Sequence, residues 1–186
     1  YITKNRDTAD NWLVYHESIG NTKGAFLNVT NAPGTSSAYW NDTSPTSTVF
    51  SVGTEVPMNK SGDDIIAYCF AEKKGYSKFG SYTGNGNADG TFVYLGFRPA
   101  WVIAKRTDST ANWYMMTAKI SDSGGGNPLD RPLFANDSQA ENDGDNNVDL
   151  LSNGFKIRGS GSAQNGSGAT YIYMAFAEEP LVANVG

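Results

Sequence analysis

The sequence predicts an all-β protein made of two β-sandwich repeats. Aromatic residues make up 12% of the 186 residues and charged residues only 18%, while Gly, Ser, Thr and Asn are abundant. This composition is typical of strands joined by polar loops. In addition, a stretch that begins at Asn59 recurs without a gap 106 positions later, at Asn165. Internal similarity of this kind indicates a repeated architecture.

Each repeat begins with a predicted hairpin. Residues 1–12 and 102–113 match at an offset of 101, and in both a turn rich in Asp and Asn separates two apolar runs. Further along, Ala25-Phe-Leu-Asn corresponds to Leu133-Phe-Ala-Asn. The loops then diverge before both copies return to a predicted strand, at residues 49–52 and 154–157. Divergent loops on a shared frame are where function is usually found.

The recurring stretch predicts the central strand of each repeat. In residues 65–72 bulky side chains alternate with mostly small ones, and residues 171–178 repeat the pattern. This is expected of a strand that is covered on both faces. The preceding Asn-x-Ser-Gly then forms a turn, in which Gly62 and Gly168 can adopt positive φ.

A glycine-rich hairpin is predicted between the copies, with strands at residues 77–83 and 91–97. Because its second strand leads directly into Val102, the hairpin belongs to the second copy. The predicted repeats are therefore residues 1–74, which lack a leading hairpin, and residues 75–186, which have one. Either the chain is a fragment of something longer or the first copy is a reduced version.

Charge and cysteine content limit the functions to be expected. The net charge is −5, from 14 Lys and Arg against 19 Asp and Glu, so nucleic acid is not expected as a partner. Cys69 is the only cysteine, which excludes an intrachain disulfide and a thiolate metal cluster. Without an apolar run of 18 or more residues, membrane insertion is not expected either.

Four stretches resemble a known family: Gly80-Ser-Tyr-Thr-Gly-Asn-Gly, residues 96–106, Ser152-Asn-Gly-Phe-Lys, and Tyr171-Ile-Tyr-Met-Ala-Phe-Ala-Glu. Together they are similar to a β-rich domain of unknown function that recurs, often in tandem, in tail and other virion proteins of marine tailed bacteriophages. The resemblance covers nearly the whole chain. It implies two tandem lectin-like, concanavalin- or jelly-roll-like β-sandwiches on a virion surface, in a homo-oligomer or against other virion proteins. It carries over no catalytic residues.

The sequence predicts no enzymatic activity. A nucleophilic triad needs a base beside the nucleophile, and the only histidine, His16, lies on an apolar strand face that favours a structural role. A carboxylate pair could hydrolyse glycosides, and Glu72 and Glu178 recur at matching positions. Because the two positions match, each glutamate lies in a different copy, which does not favour a catalytic pair. A structural role at the edge of each sandwich, together with Lys4 and Lys105, explains both glutamates.

The first copy carries a candidate ligand-binding loop. Sugar binding needs aromatic faces beside amide and carboxylate groups, because a pyranose presents an apolar face and a rim of hydroxyls. The predicted binding residues are Tyr39, Trp40, Asn41 and Asp42, which have no counterpart in the second copy.

The second copy carries a candidate calcium loop. Asp143, Asp145, Asn147 and Asp149 alternate along the chain and provide hard oxygen ligands. An ordinary solvated acidic loop is the alternative.

Two functions are compatible with these patterns. The first is a non-enzymatic module on the virion surface that binds a host glycan or another host-surface receptor through the divergent loops. The second is a purely structural fibre or capsid-decoration module that makes protein–protein contacts through β edges and aromatic loops. A depolymerase domain, catalytic or accessory, is a third.

Overall fold

The computed structural model describes residues 1–120, 126–140 and 148–179. Most regular structure in these ranges is antiparallel β-sheet, which confirms the all-β prediction. The chain divides into two compact units, Tyr1–Phe70 (unit 1) and Ala71–Gly186 (unit 2). None of the helices in the described ranges has the length and apolar character needed to span a bilayer.

Unit 1 is built on one sheet of five short strands. These are β1 (Ile2–Asn5), β2 (Leu13–Val14), β3 (Lys23–Phe26), β4 (Gly34–Thr35) and β5 (Ile65–Tyr68), in the spatial order β4-β3-β2-β1-β5. A 3₁₀ turn at Glu17–Ile19 follows β2, and two single-turn helices, α1 (Ser37–Trp40) and α2 (Val56–Asn59), precede β5. The chain thus returns across the unit to add its last strand beside its first.

The core of unit 1 is small and aromatic. It contains the buried side chains of Leu13, Tyr15, Trp40 and Met58. The ring of Tyr1 covers this cluster and stacks on Tyr15 with centroids 4.7 Å apart. Residues 49–52, where a strand is predicted, form none, and Val49 is 63% exposed.

Unit 2 has two sheets that enclose one core. Its strands are β6 (Ser77–Thr83), β7 (Phe92–Tyr94), β8 (Pro99–Arg106), β9 (Trp113–Thr117), β10 (Leu133–Phe134), β11 (Val148–Leu151), β12 (Gly154–Ile157) and β13 (Thr170–Ala177), with one short helix, α3 (Ser162–Asn165). The sheet orders are β10-β9-β8-β13-β6 and β11-β12-β7. Tyr82 and Tyr173 from the first sheet share a buried cluster with Val93 and Phe155 from the second.

The repeat in the sequence has a counterpart in the sheets. Strands β3-β2-β1-β5 of unit 1 and β10-β9-β8-β13 of unit 2 follow the same order. The registers coincide as well: Ile2 pairs with Tyr68, and the matching residues Ile103 and Met174 pair with each other. The short helices α2 and α3 occupy matching positions before the last strand.

Two predictions about individual strands are wrong. The residues of the predicted glycine-rich hairpin do form strands, but β6 and β7 do not pair with each other and enter opposite sheets of unit 2. The predicted central strand is central only in unit 2, where β13 lies between β8 and β6. Its counterpart β5 is an edge strand, because unit 1 has no equivalent of β6 among its described residues.

Candidate functional site

The predicted sugar-binding group surrounds α1. Trp40 is fully buried in the core of unit 1, and its indole Nε1–H donates to the carbonyl oxygen of Lys23 at 2.7 Å. Tyr39 is half-buried, with its ring edge-on to Phe26. Trp40 therefore supports the core of unit 1 and presents no ring to solvent, so the predicted contact of Trp40 with a ligand has no support in its burial.

The other two residues of the group lie at the surface. Asn41 and Asp42 follow α1 in consecutive left-handed conformations, with φ of 52° and 48°. The side chain of Asn21 donates to the Asp42 carbonyl oxygen at 2.7 Å and to Ser44 Oγ at 3.1 Å, which holds this corner in place. Ligand binding by Asn41 and Asp42 stays a prediction.

Three of the four predicted calcium ligands, Asp143, Asp145 and Asn147, lie outside the described residues. The fourth, Asp149, lies on β11 opposite Lys156, and one carboxylate oxygen is 3.4 Å from Arg158 Nε. Within residues 1–120, 126–140 and 148–179, no group of three His, Cys, Asp or Glu residues could hold a metal ion. A calcium site stays a prediction.

The only histidine serves as a helix cap. His16 is buried, and its Nδ1 accepts a hydrogen bond from the backbone N–H of Ser18 at 3.2 Å at the start of the 3₁₀ turn. A side-chain acceptor at this position satisfies a backbone donor that the turn itself leaves open. Capping of the 3₁₀ turn therefore explains why a histidine is present at position 16.

The predicted partners of the recurring glutamates are wrong for Glu178. Its carboxylate pairs with Arg98, at 2.7 Å from Nε, and Arg98 also donates to the carbonyl oxygen of Leu150. Lys105 Nζ instead donates to the carbonyl oxygen of Ala111 at 2.9 Å. Arg98 thus joins the end of β13 to β11.

Lys105 is a buried amine within unit 2. Its side chain is fully shielded from solvent, and this burial, together with the neighbouring charge of Arg106, lowers its pKa to about 8. The matching residue of unit 1, Lys4, donates to the backbone carbonyls of Asn5 and Thr8. Both lysines therefore bind carbonyl groups of the turn that follows their strand.

A second charged group fixes the same turn in unit 1. The Asp63 carboxylate accepts hydrogen bonds from Thr8 Oγ1 at 2.6 Å and Asn5 Nδ2 at 2.8 Å, and it pairs with Lys60. These hydrogen bonds, with that from Thr8 the largest contribution, lower the pKa of Asp63 to about 2. The residues just before β5 are thereby held against the turn after β1.

A polar network in unit 2 is centred on Asn165, whose side chain is fully buried. Its Nδ2 lies 2.8 to 2.9 Å from three acceptors that share its two hydrogens: the carbonyl oxygens of Gly159 and Asn87, and Asn85 Oδ1. Its Oδ1 accepts from the backbone N–H of Asn85 at 2.9 Å. A single amide thereby anchors the loop that follows β6.

Asn59 holds the matching position in unit 1 and makes part of the same network. Its Nδ2 donates to the carbonyl oxygen of Gly53 at 2.7 Å, and Gly53 matches Gly159. In the described part of the chain this is the only hydrogen bond of the Asn59 side chain, which is exposed. The partners that Asn165 takes from the loop after β6 are missing here.

Both asparagines are predicted from the sequence only as turn residues, and the sequence-based prediction does not include their role in anchoring a loop. Two signals could have identified it. The asparagine is shared by the two copies, and an Asn-Gly-Asn loop at residues 85–87 occurs only in the second. A buried amide needs several hydrogen-bonding partners, and such a loop can supply them.

Together, these features define an all-β protein in which β5 is an edge strand of unit 1 and its counterpart β13 is a central strand of unit 2. The chain belongs to a family described as a domain of unknown function, DUF7483, whose model matches residues 1–180. The match includes the described residues of both units. Searches of the curated proteins and of the solved structures find no match.

Proposed function

We propose that the protein is a non-enzymatic structural module of a virion surface, which assembles by protein–protein contacts through the β5 edge of unit 1. The observation that carries this proposal is the apolar character of that edge. Ile66 and Tyr68 are 36% and 45% exposed on β5, and Phe70 beyond the strand is 44% exposed. The virion setting rests on the resemblance to phage tail proteins, which also suggests lectin-like sandwiches.

Edge strands of monomeric proteins are normally protected from pairing. Charged residues, prolines, bulges or a covering segment prevent another chain from adding to the sheet. The four residues of β5, Ile-Ile-Ala-Tyr, include no charge and no proline. An exposed strand of this composition is suited to accept a strand from another molecule.

Sedimentation velocity of the full chain across a range of concentrations tests this proposal. We expect self-association, and we expect Tyr68→Lys to weaken it at least tenfold, since a charge at the centre of a dry contact is costly. Ser47→Lys is the matched control, because it adds the same charge at another exposed position. A chain that stays monomeric at every concentration, with or without these changes, contradicts the proposal.

Glycan binding through residues 41–42 is the second candidate. Its specific support is the pair of left-handed non-glycine residues with exposed polar side chains, since backbone strain of this kind is concentrated at functional sites. A glycan array tests it with the variant Asn41→Ala/Asp42→Ala, and with Ser138→Ala in the other unit as a control. Binding lost only in the double variant supports this candidate, whereas an array without any signal rejects it.

A further inference from the structure

Strand β7 of unit 2 presents two aromatic side chains to solvent. Phe92 and Tyr94 are 41% and 60% exposed, whereas Val93 between them is buried in the core. Side chains two residues apart on a strand lie about 7 Å from each other on the same face. Phe92 and Tyr94, the aromatic pair, therefore form a short row on the outer face of the sheet β11-β12-β7.

Glycines beneath the aromatic pair allow both rings to lie against the sheet. Gly154 on β12 pairs with Tyr94, and a Cβ atom on Gly154 would lie 3.1 Å from the ring of Phe92. A Cβ atom on Gly96, two residues after Tyr94, would lie 3.5 Å from Tyr94 Oη. Each ring thus rests with one side near glycine backbone, and its exposed surface is the side that faces away from the sheet.

Charged groups in fixed positions border the aromatic pair. Lys156 on β12 lies opposite Phe92, and its Nζ pairs with the exposed carboxylate of Asp89. Lys78 Nζ donates to the Tyr94 carbonyl oxygen at 3.1 Å and lies 5.4 Å from the centroid of the Tyr94 ring. Ammonium donors and a carboxylate acceptor are therefore held beside the two rings.

The exposed area of the aromatic pair is too small for a protein interface. An aromatic side chain has about 200 Å² of surface, so the exposed parts of the two side chains amount to roughly 200 Å². A specific protein–protein interface needs about 800 Å² on each partner. The neighbouring side chains of Lys78, Asp89 and Lys156 add charge rather than apolar area. The face is therefore suited to a ligand that combines a small apolar surface with a polar rim.

Sugars combine these two kinds of surface. A pyranose presents an apolar face of C–H groups that packs against an aromatic ring, and its hydroxyls point to donors and acceptors around that ring. Two rings in a row suit two neighbouring sugars of one chain. The charge favours a neutral sugar chain, because Lys156 is already paired with Asp89 and the net charge of −5 repels a polyanion.

From these observations we propose that the outer face of β7 and β12 in unit 2 binds a neutral polysaccharide, with successive pyranose rings stacked on Phe92 and Tyr94. Asp89 and Lys156 bind hydroxyls of the sugar at Phe92, and Lys78 binds those of the sugar at Tyr94. The site is separate from residues 41–42 of unit 1. It also does not depend on the association proposed for the β5 edge.

Native gel electrophoresis of the full chain through dissolved polysaccharides tests this site. The gels contain hydroxyethyl cellulose, laminarin, galactomannan or arabinoxylan, which are neutral, or alginate, which is acidic. We expect at least one neutral polysaccharide to retard the protein. Tyr94→Ala and Phe92→Ala should each weaken the apparent affinity at least about tenfold, because a stacking surface is lost, whereas Tyr94→Trp should keep it within about threefold.

Tyr76→Ala is the matched control, because Tyr76 is an exposed tyrosine of the same unit whose ring lies edge-on to Phe176, in the other sheet. Its retardation should equal that of the unchanged protein. The absence of retardation in every neutral gel overturns the inference. Undiminished retardation of both Tyr94→Ala and Phe92→Ala overturns it too, as does retardation by alginate alone.

Sedimentation velocity separates this inference from the proposed function. If Tyr94→Ala abolishes self-association and no polysaccharide retards the protein, the face binds another protein chain, and the present inference fails. If Tyr68→Lys abolishes self-association while retardation by a neutral polysaccharide is unchanged, both the inference and the proposed function are supported.

Discussion

A single buried amide stabilises the loop after β6 in unit 2. The side chain of Asn165 is fully buried and bonds to backbone groups and to Asn85. Removing it breaks the buried bond to Gly159 and the partly buried bonds to the loop, and each such bond contributes about 1 kcal/mol. Asn59 has one bond of this kind and an exposed side chain. The two asparagines hold equivalent positions in the sequence, but Asn165 contributes more to the free energy of unfolding than Asn59 does.

We therefore predict that Asn165→Ala lowers the free energy of unfolding of unit 2 by at least about 3 kcal/mol, since four partner groups around a buried side chain lose their bonds. Asn59→Ala should lower that of unit 1 by only about 1 kcal/mol. Urea denaturation followed by a probe in each unit measures both values. Equal effects of the two substitutions contradict the assignment of the loop contacts to Asn165 alone.

The buried amine of Lys105 makes stability depend on pH. Its pKa is about 8 in the folded protein against 10.5 for the exposed group, so between these values the unfolded chain binds more protons. The free energy of unfolding consequently rises with pH in this window, by up to about 1.4 kcal/mol per pH unit. Above this range, ionisation of buried tyrosines opposes the rise, because burial raises the pKa of Tyr173 to about 12.

We predict that the free energy of unfolding of unit 2 increases between pH 8 and 9.5, as measured by urea denaturation at constant ionic strength. Lys105→Met should remove the increase, since methionine keeps much of the side-chain length without the titrating group. Lys4→Met, in unit 1, should leave it unchanged. If the free energy of unfolding rises with pH as steeply in Lys105→Met as in the unchanged protein, the pH dependence belongs to another group.

At the scale of the strands, the sequence is informative about pairing within each copy. The offsets that align Ile2 with Ile103 and Tyr68 with Met174 also align the observed registers, because alternating apolar residues fix which face of a strand is buried. The sequence did not reveal that β6 and β7 enter different sheets. Two strands with alternating apolar residues around a glycine-rich turn have the same sequence pattern whether they pair as a hairpin or enter two different sheets.

The second sheet of unit 2 depends on one close backbone approach. A Cβ atom on Gly154 of β12 would lie 2.1 Å from the carbonyl oxygen of Val93 on β7. We predict that Gly154→Ala separates these strands and lowers the melting temperature of unit 2 by at least about 8 °C, equivalent to roughly 2 kcal/mol. Gly34→Ala is the control, since its nearest neighbour, Tyr39 Oη, is at an ordinary contact distance of 3.4 Å. Calorimetry measures both shifts, and equal shifts contradict the prediction.

The candidate site could be predicted only in part. The composition of residues 39–42 suggested an aromatic binding surface, but the number of aromatic residues does not show which of them the core needs. Trp40 fills the centre of unit 1, where its ring contacts those of Tyr1 and Tyr15 edge-on. Whether β5 is an edge strand depends on which strands lie beside it, and the residues of β5 alone do not show this.

As a whole, the protein contains two versions of one strand order. In unit 2 the strand β6 lies beside β13, whereas none of the described strands lies beyond β5 in unit 1. A covered core is expected to fold by itself, whereas an open apolar edge is stabilised by a partner. The difference between the units is therefore the basis of the proposed function.

Amide hydrogen exchange of the full chain, measured by NMR, tests this account most directly. The N–H of Ala67 points away from β1, while that of the matching Tyr173 faces β6. We predict that Ala67 exchanges at least about a hundredfold faster than Tyr173. Protection of Ala67 equal to that of Tyr173 would contradict an exposed β5 edge.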